Sequence, residues 1–127
     1  MKNHAGQPFV LDENIDSLDM LLRGKADLAM YVVKLKISRL GGLTKTGQAR
    51  DLCISMGNAM TLEDSWGGDL TRAAIAQLAH STPEKFHFTS TDFNSFVTTS
   101  MATGALQRED GCMKASMAPL EIATRFD

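Results

Sequence analysis

Val33-Lys34-Leu35-Lys36-Ile37-Ser38-Arg39-Leu40-Gly41-Gly42-Leu43-Thr44 constrains this chain more than any other stretch. An apolar run carries a lysine to its end, breaks at Gly-Gly, and passes into a segment of helical spacing. That is the layout of a parallel βα unit with a charged group at the strand's C-terminal end, the end at which such folds do their chemistry. Pro8-Phe9-Val10-Leu11-Asp12-Glu13 and Ala59-Met60-Thr61-Leu62-Glu63-Asp64-Ser65-Trp66-Gly67-Gly68-Asp69 end the same way. Charged residues recur where apolar strands stop.

The segments between them read as helices. Ile15, Leu18, Leu21 and Leu22 have helical spacing, with Asn14 or Asp16 as cap and Gly24 as terminator. The run from Leu28 to Ile37 is apolar without strict alternation, as in a parallel strand covered on both faces. Thr44 is the expected cap of a helix carrying Ala49, Leu52, Cys53 and Met56, stopped by Gly57-Asn58. After Gly68, Leu70, Ala74 and Leu78 form a stripe, with Asp69 as the expected cap. Beyond Pro83, Lys85-Phe86-His87-Phe88-Thr89 reads as a strand running into Asp92.

The strand-end charges at 12, 36, 63 and 92 lie 24, 27 and 29 residues apart, about the length of a strand, a crossover helix and two loops. Right-handed crossovers would put all four on one side of the sheet. Further on, Phe96-Val97-Thr98-Thr99 and Cys112-Met113-Lys114-Ala115-Ser116 read as two strands joined through a Glu109-Asp110-Gly111 turn. Leu120 to Asp127 show no period and are expected to fray. Periodicity alone leaves two architectures open, an open four-stranded sheet and part of a closed barrel.

The chain has 127 residues, 43% of them hydrophobic and 22% charged, with a net charge of −2. That suits one domain or part of a larger one, and it excludes general disorder and a strongly basic nucleic-acid binder. Cys53 and Cys112 lie in no metal-ligand spacing. Cys53 is expected to be a buried thiol, and nothing points to an oxidising compartment. No segment has the length and apolarity of a membrane span or a signal core, so the expected location is cytoplasmic, without a membrane partner.

The three strand-end motifs, in order and at this spacing, resemble the C-terminal barrel part of the mandelate racemase/muconate lactonizing enzyme family, within the enolase superfamily. The resemblance runs from Pro8 to Ala118. It implies an α/β fold, a partial (β/α) barrel of about its last four βα units over 1–95, with a C-terminal extension over 96–127. It implies Mg²⁺ chemistry that removes the proton α to a carboxylate, as a racemase, epimerase or dehydratase. Asp12 matches the fifth-strand metal ligand and Lys36 the sixth-strand acid/base lysine. Glu63, Asp64 and Asp92 match positions that contact substrate. The Glu-Asp-Ser-Trp-Gly-Gly-Asp segment is similar to that of members acting on proline-like amino acids and betaines, where Trp66 would face an ammonium group by cation–π contact.

The chemistry is physically coherent. A carbon acid α to a carboxylate is very weak, so the charge that develops needs preorganised positive charge nearby. Mg²⁺ takes hard oxygen ligands, and a lysine beside a cation is disfavoured in its protonated form.

The chain also departs from the family. The first metal ligands, the second-strand lysine motif and most of the capping domain are expected upstream of Met1, so the chain is expected to be a fragment. Tyr31 stands where an aspartate is expected, and no Gly-Leu-Gly follows Pro119. Each site residue also has a plainer role. Asp12 reads as a helix cap or an exposed strand-end carboxylate, Lys36 as a lysine snorkelling to solvent, Glu63 or Asp64 as a cap, Trp66 as packing, and Asp92 as a turn residue. Lys34 shares the parity of Lys36 but lacks the motif match, and is read as solvent-facing or a substitution. His4, His80 and His87 read as surface histidines, and the methionines as core filler. The alternative functions are a non-catalytic fragment that folds by pairing with a second copy or a missing N-terminal half, and a small open-sheet binding module.

Overall fold

A computed structural model describes residues 8–27, 30–63, 67–90, 99–114 and 116–122. Four parallel strands form one sheet in the order β1 (Val10–Leu11), β2 (Val32–Lys36), β3 (Ala59–Glu63), β4 (His87–Ser90). Helix α1 (Leu18–Ala26) joins the first pair. A helical turn, α2 (Ile37–Leu40), and α3 (Leu43–Met56) join the second, and α4 (Asp69–His80) with a 3₁₀ turn joins the third.

Strand register sorts the side chains. Lys34 lies opposite Thr61 and Lys36 opposite Glu63, while Val33 and Leu35 pair with Met60 and Leu62. Side chains alternate across a strand, so one face of β2 and β3 is apolar. Val33, Leu35, Met60 and Leu62 are buried there with Ile15, Leu21, Leu40, Ala49, Cys53 and Leu78. The other face carries Lys34, Lys36, Thr61 and Glu63, and the Thr61 and Thr89 hydroxyls hydrogen-bond at 3.1 Å across β3 and β4. Both faces are occupied, which explains a near-continuous apolar strand interrupted by lysines.

Several boundaries differ from the expected ones. Helix α1 is capped by Ser17, whose Oγ accepts from Met20 N, and not by Asn14 or Asp16. The chain first turns at Asp12, whose carbonyl accepts from Ile15 N at 3.0 Å, so Ile15 is buried ahead of the helix. Gly24 lies inside α1 and does not terminate it; a Cβ there would stand 3.3 Å from Met30 Sδ. Strand β2 begins at Val32, and Ile37 belongs to α2. Helix α3 is capped at Gly42 and not Thr44. Gly57 ends it as expected, at φ 73°.

The C-terminal residues pack on α4. Gln77 Nε2 donates to Ser116 O at 2.6 Å, and Arg72 Nη1 donates to Leu106 O at 3.3 Å. The Asp110-Gly111 turn is present, but it joins β6 (Arg108–Glu109) to β7 (Cys112–Met113), so the strand preceding it is not the one expected at 96–99. Of that stretch, 96–98 lie outside the described residues, and Thr99 is in a bend. The tail does not simply fray: β8 (Glu121–Ile122) pairs antiparallel with β5 (Ala102–Thr103).

Candidate active site

The strand ends converge. Asp12 follows β1, Lys36 ends β2 and Glu63 ends β3, so parallel pairing brings all three to the C-terminal edge of the sheet. Lys36 Nζ stands 3.4 Å from Asp12 Oδ1 and 3.6 Å from Glu63 Oε1. Its side chain is 13% exposed and that of Glu63 only 2%, so neither is a solvated strand-end charge. Asp64, Trp66 and Asp92 lie outside the described residues.

Two members of the cluster were not legible from sequence. Lys34 is not solvent-facing: its ammonium bridges Glu63 Oε1 at 3.1 Å and Asp12 Oδ2 at 3.3 Å. Its parity with Lys36 was the available signal. Arg39 is the other, donating from Nη1 to Asp12 Oδ1 at 2.7 Å and to the Asp12 carbonyl at 2.8 Å. It reaches Asp12 because α2 turns the chain back at the strand end. Gly41 and Gly42, at φ 85° and 120°, then redirect it into α3, a left-handed path open to glycine. Thr46 Oγ1 closes the bend on Gly42 O at 2.9 Å.

Among the described residues the cluster holds three cations and two carboxylates, a surplus of one positive charge. Burial works to raise the Asp12 pKa, but the hydrogen bond from Arg39 and the charges of Lys34 and Lys36 outweigh it and hold the group below its ordinary value. Burial likewise opposes the charge on Lys34, and Glu63 and then Asp12 outweigh it and raise the pKa. Such a site receives an anion readily and places an amine at the sheet edge for proton transfer.

The same geometry tests the fit of Mg²⁺. A tight site needs several hard oxygen ligands at about 2.1 Å. Both oxygens of Asp12 are already engaged by cations. No group of three or more His, Cys, Asp or Glu among the described residues is arranged to hold a metal. The described residues do not by themselves fit the ion.

Parallel βα units that gather acid and lysine at the C-terminal strand ends define the class of α/β folds that carry their chemistry at that edge. The chain belongs to the enolase C-terminal domain-like family, whose model matches residues 1–119. It is 52% identical over 128 residues to the cis-3-hydroxy-L-proline dehydratase of Roseibium aggregatum, a match covering all of this chain and 35% of that protein. Among solved structures, a mandelate racemase/muconate lactonizing enzyme of Roseovarius nubinhibens ISM superposes with a TM-score of 0.83 at 41% identity, over 91% of this chain and 31% of that one. Another enzyme of that name and organism, complexed with magnesium, superposes with a TM-score of 0.86 at 28% identity, over 95% of this chain and 33% of the other. The chain thus spans about a third of the length of the relatives it matches. The likeness settles the open alternative: the four-stranded sheet is part of an enolase-type barrel.

Proposed function

We propose that this chain supplies the acid/base lysine of a reaction that removes the proton α to the carboxylate of a proline-like acid, with Lys36 as that group. The observation that carries the proposal is Lys36 Nζ, held between Asp12 and Glu63 at the C-terminal edge of the sheet. The similarity to a cis-3-hydroxy-L-proline dehydratase supports the substrate class.

In the step proposed, the surplus positive charge of the cluster, present while Lys36 is an ammonium, draws in the substrate carboxylate. Lys36 then gives up a proton to solvent, and its amine takes the α-proton. The C–H electron pair passes into the carboxylate. Return of the proton by Lys36 to the same face only restores the substrate, so an epimer requires a second acid on the opposite face; departure of a β-hydroxyl, taking the proton held by Lys36 to form water, gives a dehydrated product. Asp12 and Glu63 fix the ammonium that results.

Magnesium belongs to this proposal as a requirement on more than the described residues. Asp12 would supply one carboxylate, with the remaining ligands from a second copy or from residues outside this chain.

The test is exchange of the α-proton for deuterium in D₂O, with Mg²⁺ and a panel of proline and betaine acids. Exchange abolished by EDTA and lowered about 10²–10⁴-fold by Lys36→Ala is the expected result. Exchange that persists in Lys36→Ala, or its absence from well-folded chain, would overturn the reading. The second reading, a non-catalytic βα module, is favoured by the commitment of Asp12 to three cations and predicts the latter result.

A further inference from the structure

A cavity of about 290 Å³ lies between α4, β4 and the β6–β7 hairpin, and it shares no residue with the strand-end cluster. That volume is close to the lower end for small-ligand sites, about 300 Å³. Its floor is the apolar flank of α4, formed by Ile75, Ala76 and Ala79. Its rim is basic, with Arg72 from α4, Arg108 from the hairpin, and two histidines. The histidines tie the walls together: His80 Nε2 donates to Met113 O at 3.4 Å, and His87 Nε2 hydrogen-bonds with Ser90 Oγ at 2.8 Å. No carboxylate among the described residues lines the cavity. Asp69 Oδ1 stands 4.0 Å from Arg72 Nη1, at the outer limit of an ion pair, and Glu109 is paired with Lys114 at 3.3 Å.

Two guanidiniums above an apolar floor select one ligand chemistry. Each guanidinium carries five donors in a planar fork that matches a carboxylate, and the floor takes an apolar body. An ammonium on the same ligand would meet two like charges and no acid. We propose that this cavity is a binding site for a small organic monoanion, a carboxylate held by Arg72 and Arg108 on a ring or short chain seated against Ile75 and Ala79. The site refuses a zwitterion. In this it differs from the strand-end cluster, where Asp12 and Glu63 offset the cations. The inference does not depend on the acid/base role of Lys36.

Cys112 lines the same cavity and is exposed, whereas Cys53 is buried, so a neutral alkylating reagent reads the site through Cys112. The experiment follows the reaction of iodoacetamide with the full chain at fixed ionic strength. The ligands share one ring shape and differ in charge: cyclopentanecarboxylate, cyclopentanecarboxamide and proline. An anion of this size is expected to bind with a Kd of a few millimolar, so about 50 mM cyclopentanecarboxylate should slow alkylation about tenfold. The amide and proline are expected to leave the rate unchanged. Failure of the anion to protect Cys112 would overturn the inference. So would equal protection by the amide, which marks an apolar groove only, or by proline, which removes the selectivity for charge.

Arg108→Gln, on the exposed hairpin, is expected to weaken the protection about tenfold, and Arg23→Gln on the exposed side of α1 to leave it as it is. Protection undiminished in Arg108→Gln overturns the inference. If that variant does not fold, the unmutated chain decides. With ¹⁵N-labelled arginine, the Nε resonances of Arg72 and Arg108 are expected to shift as cyclopentanecarboxylate is added while that of Arg23 stays; a stationary pair overturns the inference.

Discussion

At the scale of single residues, the two cysteines provide a direct check on the core. Cys53 is fully buried, and burial pushes its thiol pKa up to about 12, whereas Cys112 is exposed. A thiolate-selective disulfide reagent at pH 8 is expected to titrate one thiol at once and the second only on unfolding; two fast thiols would contradict the packing. Cys53 was legible from sequence because helical spacing put it on the apolar stripe. Asp12, Lys36 and Glu63 were legible because each ends an apolar run, and parallel pairing then brings such residues together. Lys34 and Arg39 were harder to read. A lysine in a strand is ordinarily solvated, and only the buried carboxylate two strand positions away reverses that expectation. Nothing in the spacing of Arg39 shows that α2 turns it back onto Asp12.

At the scale of elements, helix positions were readable and their first residues were not. Caps depend on where the chain turns, and the turns at Asp12–Ile15 and Gly41–Gly42 are closed by local backbone hydrogen bonds, Ile15 N donating to Asp12 O and Gly42 N to Ile37 O, that apolar spacing does not record. Asp69 illustrates this. It opens α4 behind the Gly68 cap, and its carboxylate is divided: Oδ1 stands 4.0 Å from Arg72 Nη1 on its own helix, and Oδ2 faces the segment that leads into β5. Oδ2 accepts from Ser100 Oγ at 2.8 Å, Met101 N at 2.7 Å and Ala102 N at 3.1 Å. The residue is therefore a clasp that holds β5 against the start of α4. Asp69→Ala strips two backbone donors of their acceptor and is expected to cost about 2 kcal/mol. Limited proteolysis should then cut near Met101 sooner than in the unmutated chain, and an unchanged cleavage rate would refute the clasp. At the other end of α3, Gly57→Ala forces a side chain to φ 73° and should lower stability by about 1 kcal/mol in a denaturant melt.

For the whole molecule, acid is the informative stress. Burial works to raise the Asp69 pKa, but Ser100, the Met101 and Ala102 amides and Arg72 outweigh it, so the folded value lies below the ordinary 3.8. Asp12 is depressed as well. A carboxyl depressed on folding contributes stability that is present above its unfolded pKa and lost as pH falls through the folded value. Stability is thus expected to hold above 3.8 and to decline below it. Asp69→Asn should flatten that decline in urea melts taken from pH 5 to pH 2, and an identical slope would count against the assignment. The order of strands and helices was plain in the sequence, but whether the sheet is open or part of a barrel was not. Both have the same βα periodicity, and they differ only in what covers the edges of β1 and β4. None of the helices among the described residues is long and apolar enough to cross a membrane.

The alternation of charge along β2 has one more consequence, for how the chain finds its fold. Sliding β2 by one position against its neighbours would carry Lys34 and Lys36 into the layer of Met60 and Leu62 and leave Glu63 buried without them. Leucines and valines forgive such a slip, because each apolar residue fills another's place tolerably well. Ammonium groups do not, since burying one unpaired costs several kcal/mol. The charged residues of the cluster therefore also proofread the strand alignment. A variant with Lys34, Lys36 and Glu63 all made apolar would be free to settle in more than one alignment.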